Sequence, residues 1–240
     1  MRRRPRRGRR PGVTEAPAPV RRFERSPALS RVIIPFARGM ARFYFRFRVT
    51  GADHIPGDRP VIYVAKHPRT FLYLETVILA LATFWDNDRP PIRVLEKTGT
   101  SIHRTPVLGW MRRNVNAVPA TEQAALEALA HGESLLIFPG GARELYGPPN
   151  ELRWAGRTGF ARLAIRADVA ILPFAIAGAD RQHPWRVALG SASLWLPPVP
   201  LPVRLEYRFG MPVVPRPDED PAALAARAEA ATRALLAGAA

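Results

Sequence analysis

Three short apolar runs, each opening into a polar loop, set the terms on which this 240-residue chain can fold. The first is Val61-Ile62-Tyr63-Val64, which ends at Lys66, His67 and Pro68 and leads into an apolar stretch from Phe71 to about Trp85. The second runs from Leu135 to Phe138 into Pro139-Gly140-Gly141, and the third from Val169 to Ala175, closing near Gly178. Runs of this length and composition read as buried strands, and the helical periodicity between them makes them parts of βα units. Ile92–Leu95, Val115–Pro119 and Arg204–Phe209 read as further strands. A helix is expected after Thr121 as N-cap, through Ala130, with Leu126 and Leu129 on its core face. Others are expected over Gly156–Arg166, with Phe160, Leu163 and Ala164 inward, and after Asp220-Pro221, with Leu224, Ala228, Ala231 and Leu235 on one face. Strands alternating with helices predict an α/β domain: a largely parallel central sheet flanked by helices. Residues 183–200, rich in Pro and Trp, give no assignment, and no internal repeat is present.

The formal charge of +16 suggests nucleic acid until it is divided along the chain. Residues 1–48 carry fifteen arginines against Glu15 and Glu24, a net +13, whereas the other 192 residues carry 21 basic and 18 acidic side chains, a net +3. The folded part is therefore near neutral, and no nucleic-acid partner is expected of it. Residues 1–28 read as a disordered Arg/Pro-rich arm, with no apolar core for a secretory signal. In residues 29–48, Leu29, Ile33, Phe36, Met40, Phe43 and Phe47 recur in steps of three and four, while Arg38, Arg42 and Arg46 step by four along another face. This N-terminal amphipathic helical segment reads either as a membrane-interface helix or as a helix packed on its own domain, with Pro35 arguing against an unbroken one. Residues 49–240 then form one domain. The apolar stretch from Phe71 to Trp85 is short of the about 20 residues a spanning helix needs.

With no cysteine, disulfides, thiolate nucleophiles and Cys-based zinc sites are excluded. His54, His103, His131 and His183 show no metal-ligand spacing, and no Gly-x-Ser-x-Gly elbow or P-loop occurs. His67 is different only by its company. It ends a buried strand, with Thr70 in position to cap the helix after it, and it precedes a second strand opening into Phe138-Pro139-Gly140-Gly141-Ala142-Arg143-Glu144. In order and spacing, these blocks and the Pro173 strand resemble the glycerolipid acyltransferase family over roughly residues 45 to 215. That family carries Asn-His-x-x-Ser-x-x-Asp, then a Gly- and Arg-containing block, Phe-Pro-Glu-Gly-Thr-Arg and Val-Pro.

The resemblance implies direct transfer of a fatty acyl group from acyl-CoA or acyl carrier protein to a lipid hydroxyl, with no other cofactor. His67 would be the general base, its ordinary pKa of ~6.5 suiting the role. Substrate-binding positions would be Thr70, Gly109 and Phe138, Pro139, Gly140, Gly141, Ala142 and Arg143. The N–H groups of Gly140 and Gly141 are candidates for the developing oxyanion, and Arg143 for a phosphate or for bonds to its own loop. Three positions depart from the pattern. Leu72 stands where the family has the aspartate that orients the histidine, Gly140 replaces the block-three glutamate, and Ala120 follows Val118-Pro119 where an arginine is usual. Phe-Pro-Gly-Gly-Ala-Arg-Glu resembles the branch acting on neutral mono- and diacylglycerols. Glu75, about one helical turn beyond Leu72, either orients His67 or is a buried carboxylate paired with Arg69, Tyr73 or backbone. The expected protein is thus a peripheral enzyme of the cytoplasmic membrane face that binds membrane lipids. Its alternatives are a catalytically silent lipid-binding relative, motivated by Leu72, and a nucleic-acid binder acting through the arginine arm.

Overall fold

A computed structural model describes residues 20–22, 31, 34–69, 89–96, 117–154, 156–189, 192–197 and 199–238. Its strands are β1 (Arg48–Thr50), β2 (Ile62–Val64), β3 (Ile92–Glu96), β4 (Ala117–Pro119), β5 (Ser134–Ile137), β6 (Ile171–Ala177), β7 (Trp185–Leu189), β8 (Ala192–Leu196) and β9 (Glu206–Phe209). The described helices are α1 (Ile34–Gly39), continued by a π turn over Met40–Tyr44, then α2 (Glu122–Ala130), α3 (Ala142–Leu145), α4 (Gly159–Ala167) and α5 (Pro221–Ala237).

Seven strands form one sheet in the order β1-β9-β6-β2-β5-β3-β4. The short strand β2 lies at its centre. Val64 pairs with Ile137 of β5 on one side and Pro173 of β6 on the other, both in parallel. Pairing is parallel throughout except between β6 and β9. The expected α/β architecture is therefore present. Alternation along the β2 segment divides the core in two. Val61, Tyr63 and Ala65 enter one cluster with Phe45, Phe174 and Tyr207, whereas Ile62 and Val64 enter the other with Trp154, Phe160 and Leu224. Helices α2, α4 and α5 contribute Ala128, Ala164 and Ala228 to that second layer, where small side chains bring helix and sheet close.

Local chemistry at the helix ends matches expectation. The Thr121 hydroxyl accepts the Ala124 N–H at 3.3 Å, and the Asp220 carboxylate accepts those of Ala222 and Ala223 at 2.8 and 3.2 Å. Three readings need correction. Residues 183–200, left unassigned, hold the two-stranded antiparallel pair β7·β8. The face of α5 is centred one residue further on: Ala225, Thr232 and Leu236 are buried with Leu224 and Ala228, and Ala231 and Leu235 are only half-buried. The N-terminal stripe also turns. Ile34, Ala37, Ala41 and Phe45 are buried against the sheet, while Phe36 and Phe43 are 68 % and 77 % exposed. Ala37 and Ala41 share one core cluster with residues of the sheet, and the π turn, closed by Phe45 N–H to the Met40 carbonyl at 3.0 Å, inserts a residue that rotates the chain beyond it. Leu29 and Ile33 of that stripe lie outside the described residues, as do most of residues 1–28. Val20 of the arm donates its N–H to Glu127 on α2 at 2.8 Å, and the Arg21 carbonyl accepts from Arg93 at 3.1 Å. The expected helix from Phe71 to Trp85 is likewise outside the described residues. Among the described residues, no helix is long and apolar enough to cross a membrane.

This packing makes opposite demands on neighbouring phenylalanines. Phe45→Ala is expected to lower stability by about 3–5 kcal/mol, and Phe36→Ser to change it by less than about 0.5 kcal/mol, both read from urea denaturation.

Candidate active site

Neighbouring parallel strands deliver the loops after them to one side of the sheet; β2 and β5 end level, and β6 runs on to Ala177. β2 leads to His67, β5 to Phe138–Gly141 and β6, through the Gly178 turn, to Asp180, all at the carboxyl ends of adjacent strands. This is where open α/β sheets hold ligands.

His67 is buried, only 8 % exposed. Its Nδ1 lies 2.8 Å from the Pro68 carbonyl oxygen. A carbonyl can only accept, so Nδ1 carries the proton and the lone pair belongs to Nε2. The backbone thereby fixes the tautomer that the resembled family fixes with an aspartate at the position of Leu72. Leu72 and Glu75 both lie outside the described residues. The imidazole packs against the Phe138 ring, with centroids 4.9 Å apart. Burial pulls its pKa from 6.5 down to about 4; the Pro68 carbonyl and Asp180 oppose that shift, and Lys66 adds to it. At neutral pH the ring is therefore an uncharged base.

Two charged groupings that the sequence did not single out organise the surrounding loops, buried Lys66 with half-buried Asp180, and Glu144. The Lys66 ammonium reaches both Asp180 oxygens at 3.2 and 3.3 Å and the His67 carbonyl at 3.4 Å. Asp180 also accepts the N–H groups of Arg69 at 3.4 Å and Asn150 at 3.1 Å. The second charge is Glu144, which is fully buried. One oxygen accepts the His67 N–H at 2.7 Å and the other the Arg153 N–H at 2.8 Å. Burial pushes its pKa up, while the two backbone donors and Lys66 pull it back and Glu229 adds to the rise. Glu144 stood within the block that drew attention to Gly140. Its signal was that a glycine there leaves a gap that a residue one helical turn later can fill.

The expected binding loop is ordered around that gap. Phe138 and Gly141 are half-buried, Pro139 and Gly140 buried, and Ala142 and Arg143 exposed. Gly141, at φ +52° and ψ −134°, takes a conformation that L side chains rarely adopt, and so turns the chain into α3. Its N–H bonds the Phe138 carbonyl at 3.1 Å, so of the two candidate oxyanion donors only the Gly140 N–H has no partner among the described residues. The Arg143 side chain makes none of the bonds to its own loop that were its structural alternative. Thr70 and Gly109 lie outside the described residues. Among the described residues, no cluster of three or more His, Asp or Glu side chains could hold a metal ion.

Comparison with known proteins bears directly on this arrangement. The family described as Acyltransferase matches residues 46–177, more than half of the chain and the loops after β2 and β5, ending just before the Asp180 turn. The chain belongs to the acyltransferase family. An uncharacterized protein of Mycobacterium tuberculosis is 28% identical over 159 residues, covering 65% of this chain and 44% of the relative. A 1-acyl-sn-glycerol-3-phosphate acyltransferase of Chlamydomonas reinhardtii is 25% identical over 153 residues, covering 59% of this chain and 41% of the relative. The acyltransferase chain thus spans less than half the length of these curated relatives. Its fold is similar to the crystal structure of the 1-acyl-sn-glycerophosphate acyltransferase PlsC from Thermotoga maritima, with TM-score 0.59 and 21% identity over 86% of this chain and 78% of that one.

The low pKa of His67 has a thermodynamic consequence. As pH falls from 6.5 to about 4, the unfolded chain binds a proton at this histidine before the folded chain does, so the folded state loses stability across that window. Urea denaturation across that range is expected to show a loss that His67→Gln removes, while the raised pKa of Glu144 acts in the opposite direction in both proteins.

Proposed function

We propose that this acyltransferase moves a fatty acyl group from a thioester, acyl-CoA or acyl carrier protein, to a glycerolipid hydroxyl, with His67 as general base. The observation that carries the reading is the His67 ring, buried at the end of a central parallel strand with Nδ1 2.8 Å from the Pro68 carbonyl oxygen. The acceptor oxygen attacks the thioester carbonyl carbon as Nε2 takes its proton. The carbonyl electron pair moves to oxygen, where the Gly140 N–H stabilises it. Collapse of this intermediate breaks the C–S bond, and the departing thiolate takes the proton from the imidazolium. An ester and a free thiol result, and His67 is restored. The tautomer held by Pro68 supports activity despite Leu72, and so favours an enzyme over a silent lipid-binding relative.

The acceptor is proposed to be a neutral acylglycerol. Ala120 is exposed at the end of β4 where the resembled family carries its phosphate-binding arginine, and block three has glycine at position 140. His67→Ala is expected to retain the fold and reduce transfer by ~10²–10⁴-fold, measured with labelled acyl-CoA against a panel of acceptors. Monoacylglycerol should be used at least as well as lysophosphatidic acid; a strong preference for the phosphorylated acceptor that disappears in Arg143→Ala would reverse the acceptor assignment. Failure of both wild type and Leu72→Asp to use any acceptor would make the silent relative the better reading.

The enzyme is further proposed to work at an anionic membrane surface on the cytoplasmic side. Support comes from α1 and its π turn, whose outer side presents Phe36 and Phe43 beside exposed Arg38, Arg42 and Arg46 while the inner side is already packed on the domain. Arg42 lies over the Phe43 ring at 5.6 Å. Apolar side chains flanked by arginines suit the headgroup boundary. Phe36→Ser combined with Phe43→Ser should weaken co-sedimentation with anionic vesicles at least ~10-fold, since burying one phenylalanine contributes about 1.5–3 kcal/mol. Raised salt should weaken it further. Unchanged binding would place the contact elsewhere, and tighter, salt-sensitive binding to DNA would favour a nucleic-acid role for the arm.

A further inference from the structure

We propose that Glu144 is the positioning residue of His67, a carboxylate reaching into the space left by the absent side chain of Gly140 and holding the histidine by its backbone amide. The inference rests on the acyltransferase reading and adds to it a residue that touches no reacting atom.

The geometry begins at Gly140. A Cβ built there would lie 2.0 Å from Glu144 Cδ, 2.4 Å from Cγ and 2.5 Å from Oε1. The carboxylate therefore occupies the volume that any other residue at 140 would fill. Gly140 does not have a positive φ, so its backbone accepts an L side chain and the obstacle is Glu144 itself. Gly141 then turns the chain so that α3, only four residues long, points its third side chain back under the loop. Position 140 and position 144 are thus alternative origins for one buried carboxylate.

The partners of that carboxylate decide its role. A fully buried carboxylate needs strong donors, and charge-assisted bonds are about twice as strong as neutral ones. Here one donor is the N–H of His67, 77 residues away in sequence, and the other is the N–H of Arg153. The bond is made to the base itself rather than to a neighbour in its loop. Its far end belongs to the turn that carries the Gly140 N–H, so a single side chain sets the separation between the general base and the candidate oxyanion donor. A displacement of about 1 Å at such a site costs ~10²-fold in rate. Lys66 and Glu229 are the charges that act on Glu144 from the other packed elements, and Arg143 on its own helix faces solvent.

Four variants, Glu144→Ala, Glu144→Gln, Gly140→Glu and Gly140→Glu with Glu144→Ala, test the assignment through three readouts. These are kcat and KM for acyl transfer, thermal melting, and the His67 Cε1–H resonance in protein with labelled histidine, assigned by its loss in His67→Ala. Glu144→Ala is expected to fold, shift the His67 resonance and lower kcat ~10²-fold with little change in KM. Gly140→Glu alone should lower the melting temperature and kcat, because two carboxylates compete for one volume. The double variant should return the resonance toward its wild-type position and recover at least a tenth of wild-type kcat. An unshifted resonance with wild-type kcat in Glu144→Ala or Glu144→Gln overturns the proposal, as does a double variant no better than Glu144→Ala. Loss of the fold in both Glu144 variants also overturns it, since the carboxylate would then serve the domain rather than the histidine. A wild-type protein that transfers no acyl group overturns the acyltransferase reading instead, and the His67 resonance still decides the role of Glu144.

Discussion

The level ending of β2 and β5, beside a β6 that runs on to Ala177, is the constraint on which the site depends. Val64 pairs at once with Ile137 and Pro173, so the chain leaving β2 emerges beside the chain leaving β5, close to the turn that ends β6. β2 itself is only three residues long, buried on both faces and hydrogen-bonded to both neighbours. A slip of one residue would send Tyr63 and Val64 to the wrong core layers. The register is therefore held by side-chain burial far more strongly than the length of β2 suggests. Position in the sheet, rather than anything in the His67 loop, is what brings a histidine and a glycine turn together.

Once juxtaposed, the loops are held by carboxylates used as multipoint acceptors, Glu144 fully buried and Asp180 half-buried. Asp180 gathers the Lys66 ammonium and the N–H groups of Arg69 and Asn150, and Glu144 gathers those of His67 and Arg153. A carboxylate suits this task because its two oxygens accept several bonds and, without water, must do so. The same desolvation lowers the His67 pKa and keeps the ring in its basic form. Burial thus both orders the loops and sets the protonation state of the residue they carry.

The N-terminal segment shows how one helix answers two demands. Its small residues, Ala37 and Ala41, serve close packing, and its large ones, Phe36 and Phe43, remain outside. A stripe of apolar residues at helical spacing is compatible with either arrangement. Volume separates the two sides here, the alanines lying in the core and Phe36 and Phe43 in solvent. Besides Ile34, the exception is Phe45, large and buried. Its carbonyl accepts the Leu205 N–H at 3.1 Å, and the Leu205 carbonyl accepts the Arg48 N–H at 3.0 Å.

Much of the fold was legible because it is encoded locally. The continuous buried run at Val61–Ala65, the caps at Thr121 and Asp220, and the inward set Phe160, Leu163 and Ala164 follow from side-chain chemistry within one element. The order of the blocks along the chain also marked His67 and the Gly140 loop. The sequence by itself thus determined the α/β class, most strand and helix positions and which loops form the candidate site. Only the tertiary structure decided that Pro68 holds the imidazole tautomer, that Glu144 fills the gap at Gly140, that Asp180 meets Lys66, and which N-terminal phenylalanines stay exposed. Each of these depends on a distance between residues brought together by strand order, or on volume available in a shared core. Neither quantity is a property of a local stretch of sequence.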